Sequence, residues 1–160
     1  MINGNRGEIA ALVGENAEVR GVESVGEHPD AAETAMACAQ RTGAVVVASG
    51  TTDIVATAET AFELTVGDEM LGTFVGTGCM LGGTIAAFCG ALDDPLTAAL
   101  TGTIAFGLAG EAAANGEFGD YAGPASYETT VLDAAAGTDP EMIATMDIDS
   151  RINRVLAEVN

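Results

Sequence analysis

The alternation of apolar and polar stretches divides the chain into short helices and strands. An uninterrupted apolar, mainly β-branched run, Ala44–Ala48, predicts a strand buried on both faces. Two shorter runs, Asp53–Thr57 and Phe62–Val66, predict two further strands joined by a turn near Glu59. Because a strand buried on both faces needs neighbours, and the chain offers few, we expect the sheet to be part of a larger one.

Helices fill most of the remaining chain. Each predicted helix carries an apolar stripe or a long uncharged run; together they cover Gly7–Val13 (after a loop at Asn3–Asn5), Asp30–Arg41 with Asp30 as N-cap, Gly78–Gly90, the segment that starts at Pro95, Pro124–Ala136 and Arg151–Val159. The helix that starts at Pro95 is almost uncharged until Glu111, so we expect it to be buried. Helices alternating with buried strands predict an α/β fold.

The charge balance excludes some classes of protein. Five arginines and no lysine stand against 24 carboxylates, which gives a formal net charge of −19. A protein that grips nucleic acid or an anionic membrane needs a basic footprint, so neither partner is expected. Disorder is excluded by a 48% hydrophobic content and a mean hydropathy of +0.30. The scattered acids favour a high-salt cytoplasm over an acidic partner for a basic protein, which would show a charge block.

The cysteines and the apolar segments predict a cytoplasmic protein. Cys38, Cys79 and Cys89 form no C-x-x-C pair and the chain has one His, so neither a zinc site nor a disulfide framework is expected. Cys38 and Cys89 fall within helical stripes and are expected in the core. The chain opens without a signal peptide, and its longest apolar stretch, Gly82–Leu92, is too short to span a bilayer.

The strongest candidate site is Gly76-Thr77-Gly78-Cys79, at the N-terminus of a predicted helix. Glycines let a ligand approach the backbone closely, and the first N–H groups of a helix point at any anion placed there. The same helix terminus favours a thiolate at Cys79. The alternative, a tight strand-to-helix turn with a buried Cys79, is equally compatible with the residues alone.

Two further motifs carry polar groups next to predicted elements. Asn5-x-x-Glu8 places an amide beside a carboxylate, which can hold a hydrated Mg²⁺ near a nucleotide's phosphates. A plain helix start with an acidic first turn explains the same residues and, from them alone, is favoured. Ser49-Gly50 follows the buried strand, where ligands of α/β sheets bind, although a simple strand-ending turn explains it equally well.

Together these motifs resemble the hydroxyethylthiazole kinase family, in the family's order. The matching segments are Asn5-x-x-Glu8-Ile9, Gly21–Ser24, Ala44–Gly50, Gly76–Leu81 and Gly123–Tyr127, and the Cys of Gly-Thr-Gly-Cys replaces the Asp of most ribokinase-like relatives. The resemblance implies a ribokinase-like three-layer αβα fold with a mainly parallel sheet. It also implies that residues 1–160 are a single, partial kinase domain that matches the C-terminal part of the longer family members.

The resemblance also assigns roles around the glycine turn. It implies ATP-dependent phosphorylation of 4-methyl-5-(2-hydroxyethyl)thiazole in thiamine salvage. Gly76 would lie against the thiazole, and Gly76 to Cys79, with Thr77 and Gly78 between them, would form the anion hole for the transferring phosphoryl group. Cys79 would be the group nearest the substrate hydroxyl.

The remaining roles concern the nucleotide. By resemblance, Ser49 matches a family Thr that touches the nucleotide, and Glu8 with Asn5 matches the Mg²⁺–phosphate motif. Asn3 stands where the family usually has an Arg that contacts ATP, so the phosphate site lacks that cation. The family's homotrimers imply a homotrimer here. The rival prediction is a non-catalytic remnant, or a subunit that needs a separate N-terminal half.

Overall fold

The computed structural model describes residues 1–14, 31–137 and 147–156. The strands are β1 (Ile2–Asn5), β2 (Val46–Ser49), β3 (Asp53–Ala56), β4 (Thr60–Leu64) and β5 (Ile152–Leu156). The α-helices are α1 (Arg6–Val13), α2 (Ala31–Thr42), α3 (Thr77–Ala91), α4 (Pro95–Ala114) and α5 (Pro124–Gly137), and 3₁₀ turns lie at Glu69–Gly72 and Asp149–Arg151. Asp30 and the segment 21–24 lie outside the described residues.

The strands form one sheet in the order β1-β2-β3-β4-β5. β1 pairs with β2 in parallel, whereas the other three neighbouring pairs are antiparallel. The expectation of a mainly parallel sheet is therefore wrong for the described strands. The connections explain two of the antiparallel pairs, because residues 50–52 and 57–59 link consecutive strands by short turns that allow only antiparallel pairing. The parallel pair is connected by a crossover that contains α1 and α2.

Helices cover both faces of this sheet, which confirms the α/β, three-layer αβα prediction. Val46 of β2 packs in a core with α1 and α2, and Val47 packs in a second core with α3, α4 and α5. Both valines are fully buried, so the predicted strand is buried on both faces, as its apolar sequence indicated.

α4 is the central helix of the second core. Its length and apolar composition would suffice to cross a membrane, which holds for no other helix in the described ranges, so the prediction that Gly82–Leu92 is the longest apolar stretch is wrong. However, 61% of the most apolar window of α4 is buried inside the protein. A side chain at Gly102 would place its Cβ 2.8 Å from the Cα of Ile85 on α3, so this glycine allows the two helices to pack closely. The predicted burial of the helix is confirmed.

Two sequence predictions were wrong at the edges of the sheet. The predicted loop at Asn3–Asn5 is part of β1, and the predicted helix at Arg151–Val159 contains β5, as far as it lies within the described residues. Ile152 and Val155 are three residues apart, which suits one helical face. In the strand they point to opposite faces, and each packs against a different core.

Candidate active site

A ring contact and two side-chain hydrogen bonds hold the glycine turn before α3 in place. Phe74 makes an edge-to-face contact with Tyr127 of α5, with ring centroids 6.0 Å apart. The Thr77 hydroxyl donates to the carbonyl oxygens of Leu71 (2.7 Å) and Phe74 (3.2 Å). The Thr77 side chain therefore stabilises the turn, and only the backbone N–H of Thr77 remains available to a ligand at the N-terminus of α3.

The N-terminus of α3 carries no side-chain cap. Gly76 occupies the N-cap position with φ of 110°, a left-handed conformation that glycine adopts without strain, and no side chain caps the helix. The N–H groups of a first helical turn have no intrahelical partners, so they are free to bind an anion. The structure thus forms an open cradle of N–H groups at the Gly-Thr-Gly-Cys sequence, and the binding of an anion by this cradle stays a prediction.

Open space lies in front of this cradle. A Cβ added at Gly76 or Gly78 would meet nothing within 4 Å, so packing of the described chain does not require glycine at Gly78. Cys79 is exposed, which rules out the alternative of a buried structural cysteine. Cys38 is buried as expected, but Cys89 is exposed, because α3 buries only Leu81 and Ile85.

Asn3 connects β1 to the first turn of α3. Its Nδ2 donates to the carbonyl oxygen of Gly78 at 3.2 Å. Its Oδ1 is buried and accepts no hydrogen bond from the described residues. Asn3 therefore lies beside the cradle and offers a neutral amide there.

Asn5 and Glu8 form a capping box at the start of α1. The Glu8 N–H donates to Asn5 Oδ1 at 2.9 Å, and the Asn5 N–H donates to Glu8 Oε2 at 2.7 Å. This confirms the helix-start interpretation of the motif. The Glu8 side chain is exposed, and in residues 1–14, 31–137 and 147–156 no three His, Cys, Asp or Glu side chains are grouped as metal ligands.

Ser49 lies beside the start of α1. It is the register partner of Asn5 across the parallel β1–β2 pair, and its hydroxyl donates to the Gly4 carbonyl at 3.4 Å. Asn5 and Ser49 thus lie side by side at the carboxyl ends of β1 and β2. Asn3 joins them to the glycine turn through its bond to Gly78.

Sequence reasoning missed two charged residues at this end of the sheet. Arg6 Nη2 donates to the Thr52 carbonyl at 2.8 Å, and Asp53 accepts from the Gly50 N–H at 3.0 Å. Burial raises the pKa of Asp53 to about 6, against the lowering effects of the Gly50 N–H and the Arg6 charge. The scarcity of cations in this acidic chain was the available signal for Arg6.

Tyr127 supports the turn from α5. Its hydroxyl donates to the Gly110 carbonyl at 2.9 Å, and its ring contacts Tyr121 as well as Phe74. Burial raises the pKa of Tyr127, and the nearby Asp68 charge adds to the effect. A neutral, fully buried phenol therefore anchors the glycine turn to the helical layer.

The fold and the site together define an α/β protein with an uncapped helix N-terminus beside the parallel strand pair β1–β2. A family model described as hydroxyethylthiazole kinase family matches residues 1–141, and the chain belongs to this family. The hydroxyethylthiazole kinase of Haloquadratum walsbyi is 89% identical over 158 residues, which are 99% of this chain and 55% of that protein. The hydroxyethylthiazole kinase of Natronomonas pharaonis is 55% identical over 159 residues, covering 98% of this chain and 55% of that protein.

A solved structure agrees with these relatives. The hydroxyethylthiazole kinase of Pyrococcus horikoshii OT3 superposes with a TM-score of 0.72 at 28% identity, over 97% of this chain and 54% of that chain. The fold is therefore the ribokinase-like α/β fold of this family. The chain spans about half the length of the curated relatives it matches.

Proposed function

We propose that this chain, as a single ribokinase-like domain, carries the phosphoryl-transfer site of an enzyme that uses ATP to phosphorylate 4-methyl-5-(2-hydroxyethyl)thiazole in thiamine salvage. One observation carries the proposal: the N-terminus of α3 has no side-chain cap and has open space in front of Gly76 and Gly78. The names of the relatives supply the reaction and the acceptor.

The backbone of the glycine turn would supply most of the catalysis. A transferring phosphoryl group passes through a loose transition state, so the protein acts mainly by positioning and by electrostatic stabilisation. In our proposal the N–H groups of Thr77, Gly78 and Cys79 bind the phosphoryl oxygens. The Thr77 hydroxyl bonds to Leu71 and Phe74 keep these donors oriented before the ligand arrives.

Cys79 and Gly76 would face the acceptor. Cys79 is exposed in the first turn of α3, where its thiolate would accept the proton of the substrate hydroxyl and become the neutral thiol. Gly76, which has no side chain and has free space before it, leaves room for the thiazole ring.

The other predicted residues would hold the nucleotide and its metal. Mg²⁺ usually binds one or two carboxylates together with phosphates and waters, so the exposed Glu8 carboxylate fits such a site even without further carboxylates. When bound, Mg²⁺ neutralises phosphate charge. Asn5, Ser49 and Asn3 lie next to Glu8 or to the turn and would contact the nucleotide as neutral groups.

The exposed face of α3 supports a proposal about the assembly. This helix has no charged residue, yet Ala86, Ala87 and Cys89 are exposed on it. We therefore propose a cytoplasmic homotrimer in which neighbouring subunits cover apolar surface, with no role for nucleic acid or membrane. Light scattering in molar KCl tests this, and a monomer at all concentrations would contradict it.

The decisive experiment for the function is a direct assay. The 160-residue chain is mixed with Mg·ATP and the thiazole alcohol, and the phosphorylated alcohol and ADP are quantified together. Ethanol in place of the thiazole alcohol serves as the acceptor control. Stoichiometric formation of both products supports the proposal, and ADP release without a phosphorylated alcohol contradicts it.

A second candidate is a non-catalytic remnant, or a subunit that works only with a separate polypeptide. The exposed apolar face of α3 and the edge of β1 that pairs with none of the described strands favour it, because a further layer could cover both. Repeating the assay with the remaining part of a full-length relative supplied as a second chain separates the candidates. Activity only in the mixture favours the subunit, and inactivity in both favours the remnant.

A further inference from the structure

The segment 65–76, between β4 and α3, leads into the glycine turn and lies against one face of α4. Gly107, Gly110 and Glu111 share this face, because residues three and four positions apart are neighbours on a helix. We call these three residues the α4 seat. Each of them contacts the segment at a different residue, so the seat decides where the segment lies.

The two glycines of the α4 seat let the segment approach closely. A Cβ at Gly107 would lie 2.8 Å from the carbonyl oxygen of Val66, which belongs to the backbone and could yield only if the segment moved. A Cβ at Gly110 would lie 2.6 Å from Leu71 Cδ1 and 2.9 Å from Leu71 Cγ. A side chain at either position would therefore displace the segment from the helix.

Glu111 binds the backbone of the segment. It is the one charged residue among the 20 residues of α4, and its side chain is only 20% exposed. Its Oε1 accepts from the Gly67 N–H at 2.8 Å. Gly67 has φ of 122°, a left-handed conformation that glycine adopts without strain, so the bond fixes the chain at a turn just after β4. Burying a carboxylate in an apolar helix costs free energy, which these specific bonds offset.

Arg151 orients the Glu111 carboxylate. Its Nη1 donates to Glu111 Oε1 at 2.6 Å and to Oε2 at 2.8 Å. The Arg151 carbonyl oxygen also accepts from the N–H of Thr65 at 3.0 Å and from its hydroxyl at 3.2 Å. Arg151 therefore holds the start of the segment directly through Thr65, and it holds Gly67 through Glu111.

The anchored segment is connected to the glycine turn by further bonds. The Asp68 side chain caps a 3₁₀ turn in the segment by accepting from the Met70 N–H at 2.9 Å. Leu71 lies in this 3₁₀ turn, with its side chain against Gly110 and its carbonyl oxygen bonded to the Thr77 hydroxyl at 2.7 Å. A displacement of the segment would therefore reach Thr77, the first residue of α3.

We propose that Glu111 is a positioning residue for phosphoryl transfer: through Gly67 it holds the glycine turn where the N–H groups of the turn meet the phosphoryl oxygens. Arg151 keeps the Glu111 carboxylate aligned for this task. Because Glu111 acts through Gly67, it is not itself a catalytic residue. The inference rests on the proposed function, since it concerns the same N–H groups. A displacement of about 1 Å at a reacting centre can cost about 100-fold in rate, so loss of this anchor should be visible in kcat.

Glu111→Leu, made in the 160-residue chain, tests the proposal. Leucine suits an apolar helix, and the Arg151 side chain left behind is 36% exposed and can be hydrated, so we expect this variant to fold. Backbone N–H groups in residues 67–73 should exchange with solvent about tenfold faster, while those of α2 exchange at the native rate. In the kinase assay, kcat should fall by about tenfold or more, with a KM for the thiazole alcohol within about twofold of the native value.

Two further variants separate positioning from general stability. Glu63→Leu is the matched control, because Glu63 Oε2 also bonds to the C-terminal strand, accepting from Asn153 Nδ2 at 2.7 Å, but lies on β4 before the segment begins. It should keep the native kcat and the native exchange of residues 67–73. Glu111→Gln keeps an oxygen that can accept from the Gly67 N–H, so it should recover most of the kcat lost in Glu111→Leu.

Unchanged hydrogen exchange in folded Glu111→Leu would overturn the proposal, and so would faster exchange at an unchanged kcat. Equal losses of kcat in Glu111→Leu and Glu63→Leu would also overturn it, because they would show a general loss of stability. If Glu111→Leu does not fold, Arg151→Gln replaces it, since this variant removes the alignment of the carboxylate, and the same outcomes decide. A native chain without kinase activity would refute the proposed function, and the exchange of residues 67–73 would then decide by itself whether Glu111 holds the segment.

Discussion

Two helix N-termini at the same end of the sheet are built in opposite ways. At α1, Asn5 and Glu8 satisfy each other's N–H groups in a capping box, and at α3 the N-cap is Gly76, with no capping side chain. The capping box at α1 occupies the N–H groups of Asn5 and Glu8, whereas the uncapped terminus of α3 keeps the corresponding donors for a ligand. The comparison teaches that two similar-looking motifs differ in function according to whether the protein itself occupies the donors.

The largest effect on activity should come from adding a side chain at the uncapped N-terminus of α3. Gly78→Val adds bulk where nothing lies within 4 Å, so the fold should persist while phosphoryl transfer falls by about 100-fold or more. Gly83→Val is the matched control, because this glycine also has free space and lies on the same helix. Activity and thermal unfolding are measured together, and equal losses of activity in both variants would contradict the special role of the turn.

Replacing the exposed thiol of Cys79, at the uncapped N-terminus of α3, should have a smaller effect on activity. Cys79→Ala should lower kcat by about tenfold with an unchanged Kd for ATP, because a loose transition state needs little base strength. Cys79→Asp should retain activity. Cys89→Ala, at an exposed cysteine near the far end of α3, is the control. If Cys79→Ala turned over at the wild-type rate, Cys79 would have no part in the reaction, and only the backbone N–H donors of the glycine turn would remain in the proposed site.

Asp53 interacts with Arg6 at the capped N-terminus of α1 and should make the free energy of unfolding depend on pH. Its pKa in the folded state is about 6, above the ordinary value of 3.8, so its stabilising contribution is full below about pH 3.8 and is lost as the pH rises through 6. Asp53→Asn should therefore raise the free energy of unfolding by about 1–2 kcal/mol at pH 8 and leave it unchanged at pH 3.5. Denaturant unfolding at both pH values checks this, and an equal gain at both would exclude titration as the cause.

The smallest effects should separate the two roles of the Asn5–Glu8 capping box, namely helix capping and the proposed binding of Mg²⁺. Asn5→Ala removes the cap and should lower the free energy of unfolding by about 1 kcal/mol. Glu8→Gln preserves a capping box, so unfolding should change by less than about 0.5 kcal/mol while the Mg²⁺ requirement of the kinase reaction rises. Unchanged Mg²⁺ dependence in Glu8→Gln would leave Glu8 with a capping role alone.

Much of the fold was predictable from local pattern. The β-branched run Ala44–Ala48 overlaps β2, and the capping residue Asp94 with Pro95 marks the start of α4. The Asn3–Asn5 segment was missed because its polar, glycine-containing sequence has no strand pattern of its own. It becomes a strand through pairing with β2, an interaction between segments more than 40 residues apart.

The candidate site was predictable in its residues but not in its arrangement. The glycines before α3 and the Asn5-x-x-Glu8 spacing are visible in the sequence. The contact of Asn3 with Gly78 and the pairing of Asn5 with Ser49 join segments that are far apart along the chain.

The sequence by itself determined the helices, the buried strand, the acidic surface and the uncapped glycine turn, because each depends on propensity, periodicity or charge within a short segment. The tertiary structure decided which strands run parallel and how Asn3, Asn5 and Ser49 come together beside the glycine turn. These properties depend on what each group meets across the sheet, where burial, pairing and competition for hydrogen bonds are settled only by packing.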